Sequence, residues 1–384
     1  MRKPYLILVS GFLLTAFVSY KAGLLNPSIV YLQGNAGHLS QNGNNSIHIE
    51  FTVVESYLKE IRTKVSQLEQ EMMELKTWEA MNEQRTHLWK SLDVDTPSRG
   101  DLRNPHIMVN HVKLNCTSMV SSKYDLVILI SSFAKHFKRR QTIRATWGNS
   151  SHWKTRKQWK TIFVLGTVPD KETLIAIKNE SEQYEDIILE DVPESFYQLS
   201  QKVMVGLQWV FVTINFDFVL KADDDVFVNV DRMLTKLGGR LKKYHYIGSV
   251  MADQPVEREG RYALTSEEHP RDRFRPYCSG GGFLLSQRAI AKMLPHFNWK
   301  KPLKIDDAYI GRLVFDAGFK VHNEGGFYMW NTWCEYTEQL MISHPAKQRL
   351  CVDFLLQRAM IDNGLMKDTQ NLTSQPYGLP GGKQ

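Results

Sequence analysis

Cysteine is scarce in this chain. There are four in 384 residues, Cys116, Cys278, Cys334 and Cys351, and none stands in a CxxC pair. A structural zinc site built on paired cysteines is thereby set aside. The even count fits two disulfides in an oxidising compartment, with three connectivities open, or buried free thiols in a reducing one. Long basic runs are also missing. Net charge is +7, yet the densest basic stretch is only Lys138-Arg139-Arg140 with Arg144. That is too short for a nucleic-acid footprint and leaves anionic lipid or a phosphorylated small molecule as the partner of a basic chain. No GxxxxGK[ST] loop follows any apolar run, which argues against the common nucleotide hydrolases and phosphotransferases. What is present is ordinary for a folded protein: 42% hydrophobic and 23% charged residues. The length accommodates an anchor, a spacer and a catalytic domain.

Arg2 and Lys3 precede an apolar run from Tyr5 to Tyr20, and Lys21 closes it. A cleavable signal peptide needs a small-x-small site after the run, and Val18-Ser19-Tyr20 places Tyr in a small-residue position. The expectation is therefore a type II signal anchor over residues 1–24, with the charge ahead of the run holding the N-terminus in the cytoplasm. The body would then be lumenal. Sequons beginning at Asn44, Asn115, Asn149, Asn179 and Asn371 agree with that side of the membrane.

Residues 25–123 read as a stem. Gly, Asn and Ser dominate 26–50, and 91–123 is polar with prolines. Between them Val54, Leu58, Ile61, Val65, Leu68, Met72 and Leu75 alternate steps of four and three. That heptad seam predicts a coiled coil within 51–90, hence a possible homodimer, or else one amphipathic helix packed on the body.

From residue 124 onward the pattern alternates. Apolar runs at Leu126–Ile130, Ile162–Leu165, Ile187–Leu189 and Phe216–Leu220 read as strands, and Phe196–Ile214 reads as a helix. Strand and helix in turn predict an α/β domain, 124–384, around a mostly parallel sheet, with ligands beyond the carboxyl ends of its strands. One such end carries Asp223-Asp224-Asp225, enclosed by Phe216–Leu220 and Val226-Phe227-Val228. Adjacent carboxylates repel unless a divalent cation shares them, and hard oxygen ligands suit Mn²⁺ or Mg²⁺. A solvated acidic turn is the plainer alternative. Arg140 and Arg144 lie one helical turn apart and share a face that suits phosphates, or simply water. Gly280-Gly281-Gly282 removes side chains where a sugar or the backbone approaches closely. Asp306-Asp307 opens a helical pattern, where an Asp N-cap is ordinary.

Taken in order, five segments resemble the β-1,3-glycosyltransferase family, which includes β-1,3-galactosyl- and β-1,3-N-acetylglucosaminyltransferases and, more distantly, the fringe enzymes. They are Arg139 to Gly148, Glu194 to Lys202, Lys221 to Asn229, Tyr277 to Ser286 and Asp306 to Gly311. The family usually has Asn-Leu-Thr where this chain has Gln198-Leu199-Ser200, and Glu-Asp where it has Asp306-Asp307. The resemblance implies a GT-A-like nucleotide-sugar-binding domain behind a transmembrane helix and helical stem, on a Golgi membrane. It implies inverting transfer from a UDP-sugar to a glycan of a glycoprotein or glycolipid. It places the metal on Asp225 and His344, nucleotide or supporting contacts on Asp223, Asp224, Arg140, Arg144, Gly281 and Gly282, and the catalytic base on Asp307. Asp306 is left as the helix cap. Galactose, N-acetylglucosamine and N-acetylgalactosamine all remain open as the sugar. The contrasting class is a non-catalytic lumenal protein whose acids hold structural calcium, which would have no need of Asp307 or His344.

Overall fold

The computed structural model describes residues 7–9, 12–14, 59, 62–66, 69 and 123–367. Ile7–Val9 (β1) and Phe12–Leu14 (β2) pair as a short antiparallel ladder. The rest of the expected anchor lies outside the described residues, among which no helix is long and apolar enough to cross a membrane. In the stem, residues 62–66 are helical and Thr63 Oγ1 donates to Lys59 O. Val65, one of the heptad positions, is half-buried there, and the other heptad positions lie outside the described residues.

The body begins with β3 (Lys123–Ser131) and continues through α1 (Phe137–Ala145), β4 (Trp159–Thr167) and α2 (Lys171–Tyr184). Next come β5 (Ile187–Pro193), α3 (Leu199–Thr213) and β6 (Asn215–Asp223). The second half holds β7 (Phe227–Val228), α4 (Val230–Gly238), β8 (Tyr246–Met251), β9 (Tyr277–Ser286), α5 (Gln287–Met293) and α6 (Asp306–Asp316). The short strands β10 (Val321–Asn323), β11 (Phe327–Tyr328) and β12 (Ile342–Ser343) precede α7 (Arg349–Asp362).

Seven strands form one sheet in the order β10-β8-β9-β6-β3-β4-β5. β3, β4, β5 and β6 run parallel, and β9 alone runs against its neighbours β6 and β8. The central strands are apolar on both faces because helices cover both. In β3 the pleat sends Leu126, Ile128 and Ile130 into one core and Val127 and Leu129 into the other. The second core includes α3 and α6, through Val203, Leu207, Val210, Tyr309 and Leu313. These five side chains, with Val127 and Leu129, are each at most 1% exposed, so this packing dominates the stability of the domain.

A small second sheet, β11-β12-β7, is built from segments beyond the end of β6 and fixes the course of the chain just after the acidic triplet. β7 pairs antiparallel with β12, Val228 opposite Ile342 and Phe227 opposite Ser343. The next residue, His344, is thereby carried toward Asp225, and Ala346 N donates to Asp225 O at 2.6 Å. One disulfide, Cys334–Cys351, ties the β11–β12 connection to α7. Cys278 is buried on β9 with no disulfide partner among the described residues. Cys116 lies outside the described residues. Of the sequons, Asn149 and Asn179 are described, and both are exposed.

Candidate active site

β6 ends at Asp223 with its carboxylate partly open, and the chain turns through Asp224 and Asp225 before β7 begins. Asp223, Asp225 and His344 each offer a ligand atom, and these atoms lie within 4.8 Å of one another. His344 Nε2 stands 3.3 Å from Asp225 Oδ1. Its Nδ1 is 3.2 Å from Met329 O and donates to it, which leaves Nε2 to donate to Asp225 while the ring is charged and to offer a lone pair once that proton is lost. Burial disfavours the imidazolium, but the hydrogen bond and charge of Asp225, helped by Asp223, hold the His344 pKa above its ordinary value. Burial likewise works against an ionised Asp225, and His344, Arg139 and Lys347 outweigh it, so that carboxyl sits below the usual range.

Asp224 faces the other way. It is buried and accepts from Ser132 Oγ at 2.8 Å, Phe133 N at 3.3 Å, His136 Nδ1 at 2.7 Å and Arg139 Nη1 at 2.6 Å. Its role in the structure is to grip the turn between β3 and α1. Arg140 and Arg144, expected on a phosphate-facing surface, share a face as the spacing required, but that face is internal. Arg140 is 0% exposed, and its Nη2 reaches Glu180 at 2.6 Å. It also donates to Ser132 Oγ, Phe133 O and Ala134 O. Arg144 forks onto Asp186 at 2.7 and 2.8 Å and reaches Glu180 at 2.6 Å. Burial pushes the Glu180 carboxyl up, and the two guanidiniums more than reverse it. Neither arginine is among the groups around Asp225. Arg140 acts on the site only through the turn that it holds. Glu194 and Lys202 do the same work. Glu194 Oε1 accepts from Ala134 N and Gly166 N, and Lys202 Nζ donates to Ser132 O and to Glu194.

β9 crosses beside the acids and brings the glycines with it. A Cβ on Gly280 would stand 3.2 Å from Asp307 Oδ2, one on Gly281 would stand 2.7 Å from His344 Cγ, and one on Gly282 would collide with Ile342 Cδ1. The triplet is therefore bare because protein side chains crowd onto it, rather than because it forms an open turn.

Asp307 hangs from that strand. Its Oδ2 accepts from Gly280 N at 3.0 Å and its Oδ1 from its neighbour Ala308 N at 2.8 Å. Burial, reinforced by the charge of Asp306 and opposed by Lys221 and these two backbone donors, pushes its pKa up to about 7. Asp306 is not the cap of α6. Ile305 occupies the N-cap without any side-chain hydrogen bond, and both acids lie in the first turn, where the helix dipole favours negative charge. Asp306 instead faces Lys221, its Oδ2 3.1 Å from Nζ.

Lys221 is the residue that sequence reasoning passed over. It is 1% exposed and sits on β6 among apolar neighbours. Its Nζ also lies 2.9 Å from Asp223 Oδ1 and donates to Gly280 O at 2.8 Å. Burial lowers a lysine pKa, but Asp223 and Asp306 raise this one well above the ordinary value, so the ammonium is permanent. The signal was available: a lysine inside a strand core, next to three acids, needs a carboxylate partner. Lys221 and Gly280 thus link the Asp223 end of the cluster to the Asp307 end through one buried network.

A sequence model of the galactosyltransferase family matches residues 138–324. The chain is 29% identical over 233 residues to β-1,3-galactosyltransferase 1 of Mus musculus, covering 59% of this chain and 71% of that one. It is 31% identical over 259 residues to β-1,3-galactosyltransferase 5 of Gorilla gorilla gorilla, covering 64% of this chain and 85% of that one. Among solved structures, the apo form of the bifunctional glycosyltransferase WbbM matches with a TM-score of 0.33 at 13% identity, over 63% of this chain and 50% of that one; a likeness this slight supports nothing further.

Proposed function

The chain belongs to the β-1,3-glycosyltransferase family, and from that membership we propose that it transfers a hexose, galactose in our reading, from a UDP-sugar to an acceptor-glycan hydroxyl in β-1,3 linkage. The setting we propose is a Golgi membrane, with a single-pass type II anchor at 1–24 and the catalytic domain lumenal. The observation that carries the reading is the convergence of Asp223, Asp225 and His344 on one point, joined through Lys221 and Gly280 to a carboxyl poised near neutrality.

The donor set fits a hard divalent cation. It holds two carboxylates and one imidazole whose Nε2 is turned toward them and would become a ligand on losing its proton to the incoming ion. Asp225 and His344 would hold Mn²⁺ or Mg²⁺, with Asp223 beside them, and such an ion neutralises the charge on a leaving diphosphate. The protein's own part is positional and basic. Asp224, Arg140, Glu194 and Lys202 hold the β3–α1 turn at the carboxyl end of β3, where nucleotides bind in sheets of this kind. Inversion by direct displacement needs a base on the acceptor hydroxyl. Asp307 has the right affinity for that proton, since a base with a pKa close to the working pH combines ionisation with driving force. The charge of Asp306 keeps the Asp307 carboxyl basic, and Lys221 stands 3.1 Å from Asp306 on its other side.

The direct test is UDP release by the full chain in Mn²⁺, with UDP-galactose, UDP-N-acetylglucosamine and UDP-N-acetylgalactosamine in turn, with and without simple glycosides as acceptors. We expect release from UDP-galactose to be fastest and to rise with acceptor. No release from any of the three would defeat the reading. Release confined to an N-acetylhexosamine donor would keep the chemistry and replace the sugar.

A further inference from the structure

Tryptophan is highly buried on average, yet two described tryptophans stand in the open. Trp330 is 66% exposed and Trp333 56%. The other described ones, Trp147, Trp153, Trp159, Trp209 and Trp299, are buried or half-buried. Both exposed indoles belong to the connection between β11 and β12.

An exposed ring on a loose loop would mean little, but this turn is fixed from several sides. Asn331 is buried at its centre. Its Nδ2 donates to Glu335 O at 2.8 Å and to Ser343 Oγ at 2.9 Å, and its Oδ1 accepts from Glu335 N at 2.8 Å. Thr332 N donates to Trp330 O, and Cys334 N to Asn331 O. Cys334 is bonded to Cys351 of α7. It holds a φ of 55°, a left-handed conformation that persists in a non-glycine residue where the surroundings impose it. Met329, 3% exposed, turns inward, its Sδ 3.0 Å from where a Cβ on Gly281 would stand. A turn held this way offers its rings to a ligand at little further cost in ordering.

The turn is tied to the candidate metal site. His344 N donates to Tyr328 O at 2.8 Å, Asn331 N donates to His344 O at 2.9 Å, and Met329 O accepts from His344 Nδ1 at 3.2 Å. The Cα of Trp330 follows that carbonyl directly, so it stands within about 6 Å of the imidazole. Trp330 therefore occupies the rim of the place where a sugar would change hands. Charge narrows the occupant. Residues 325–343 hold Glu335 and Glu338, both exposed, and no lysine or arginine. An anionic lipid surface is met by aromatic anchors accompanied by basic residues, and this turn carries acids instead. Nucleic acid and sulfated or sialylated chains are disfavoured on the same ground. What the turn offers is a flat apolar face with an N–H at its edge, a match for the C–H face and hydroxyls of an uncharged sugar ring. We infer that Trp330, with Trp333 on the same turn, receives a neutral sugar ring of the acceptor glycan, next to the unit that carries the accepting hydroxyl. The word acceptor rests on the transferase reading; the glycan surface itself does not.

The experiment uses the full-length chain in a non-glycosidic detergent with Mn²⁺. It is passed over immobilised neutral oligosaccharides ending in galactose, mannose or an N-acetylhexosamine, each beside its sialylated and sulfated forms. UDP release from the three UDP-sugars is measured in parallel, with the same glycans free in solution. The wild type should retain at least one neutral oligosaccharide, and its charged forms severalfold less. Trp330→Ala should weaken that retention about tenfold, the loss of one stacked ring, and raise the acceptor KM by a similar factor with a smaller change in kcat. Its Tm should not move, because the side chain lies mostly in solvent. Trp330→Phe should restore much of the affinity. Glu335→Gln with Glu338→Gln should bring the charged forms closer to their neutral parent. Equal retention by Trp330→Ala and the wild type overturns the inference, as does a wild type that retains no neutral glycan or holds a charged form as tightly as its parent. So does a loss of UDP-galactose affinity in Trp330→Ala with glycan retention intact, which would assign the ring to the donor. A wild type that holds neutral glycans through Trp330 yet releases no UDP sustains the surface and sinks the transferase reading. One that releases UDP in the presence of an acceptor whose KM is unchanged in Trp330→Ala does the opposite.

Discussion

Replacing Asp307 by Asn should sharply cut turnover and at the same time make the protein gain stability relative to the wild type as pH rises. The carboxyl has an ordinary pKa of 3.8 and is pushed up to about 7 by burial and by Asp306. For an acid raised in the folded state, the protonated form favours folding. Its contribution is intact below pH 3.8 and is lost as pH rises, completely so above about 7. The full loss is ~4 kcal/mol as an upper figure, and more than half of it falls between pH 5 and pH 8. Asn carries no such penalty. Against this, Asp307 accepts from both Gly280 N and Ala308 N, and an amide can accept only one of them with its oxygen, leaving an unmatched donor at ~1–3 kcal/mol. The variant should therefore fall ~1–3 kcal/mol below the wild type at pH 5 and gain ~2–3 kcal/mol on it by pH 8, where it should be level or slightly above, a relative rise in Tm of about 4–12 °C for a domain of this size. The assay is thermal unfolding of both proteins from pH 5 to pH 8 in chelator, without donor. The rate should fall by about 10²–10⁴ if Asp307 is the general base. A variant-minus-wild-type Tm difference that does not change with pH, or that falls as pH rises, would refute the argument that Asp307 is a buried carboxyl kept near neutrality by its surroundings.

Asp225→Ala should remove Mn²⁺-dependent UDP binding in titration calorimetry while the fold persists; retained affinity in Mn²⁺ would exclude Asp225 as a ligand. Gly281→Ala places a Cβ 2.7 Å from His344 Cγ, so His344 must shift, and metal-dependent UDP affinity should fall by at least about tenfold. An unchanged affinity would show that His344 does not hold the ion. Cys334→Ser with Cys351→Ser opens a bridge spanning 17 residues and should cost ~3 kcal/mol in denaturant unfolding. Reducing agent should cause the same loss in the wild type and none in the double variant.

The parallel half of the sheet was legible because burial on both faces leaves an unbroken apolar word. Leu126–Ile130, Ile162–Leu165, Ile187–Leu189 and Phe216–Leu220 all fall inside β3 to β6, and the helix read at Phe196–Ile214 contains α3, Leu199–Thr213. The antiparallel part was not legible as structure. β9 carries Ser279-Gly280-Gly281-Gly282, a composition that reads as a turn. It is a strand because Asp307, His344 and Ile342 fill the space that side chains would need. The acids and His344 were found through resemblance, since nothing local to residue 344 reveals that β12 pairs with β7. The arginines show the limit of spacing. A shared helix face at 140 and 144 is correct, but which partner it meets depends on Glu180 and Asp186, and no periodic pattern links those positions.

That limit changes the meaning of the motifs. Residues of the first two segments, Arg139, Arg140, Glu194 and Lys202, converge with Asp224 on Ser132, Phe133, Ala134 and their neighbours. Each bond in that set links buried or half-buried groups, so removing any one strands a partner without water and costs more than the bond itself contributes. A surface turn that only connected β3 to α1 would need none of this. Fixing a turn at the carboxyl end of a central strand from four directions is what a site requires when its backbone must meet a ligand in one geometry, because hydrogen bonds that need no reorganisation are the ones that stabilise a transition state. In the proposed reading the charged residues of these segments serve the reaction by holding a short stretch of main chain still, while the groups proposed to meet the substrate are Asp223, Asp225, His344 and Asp307.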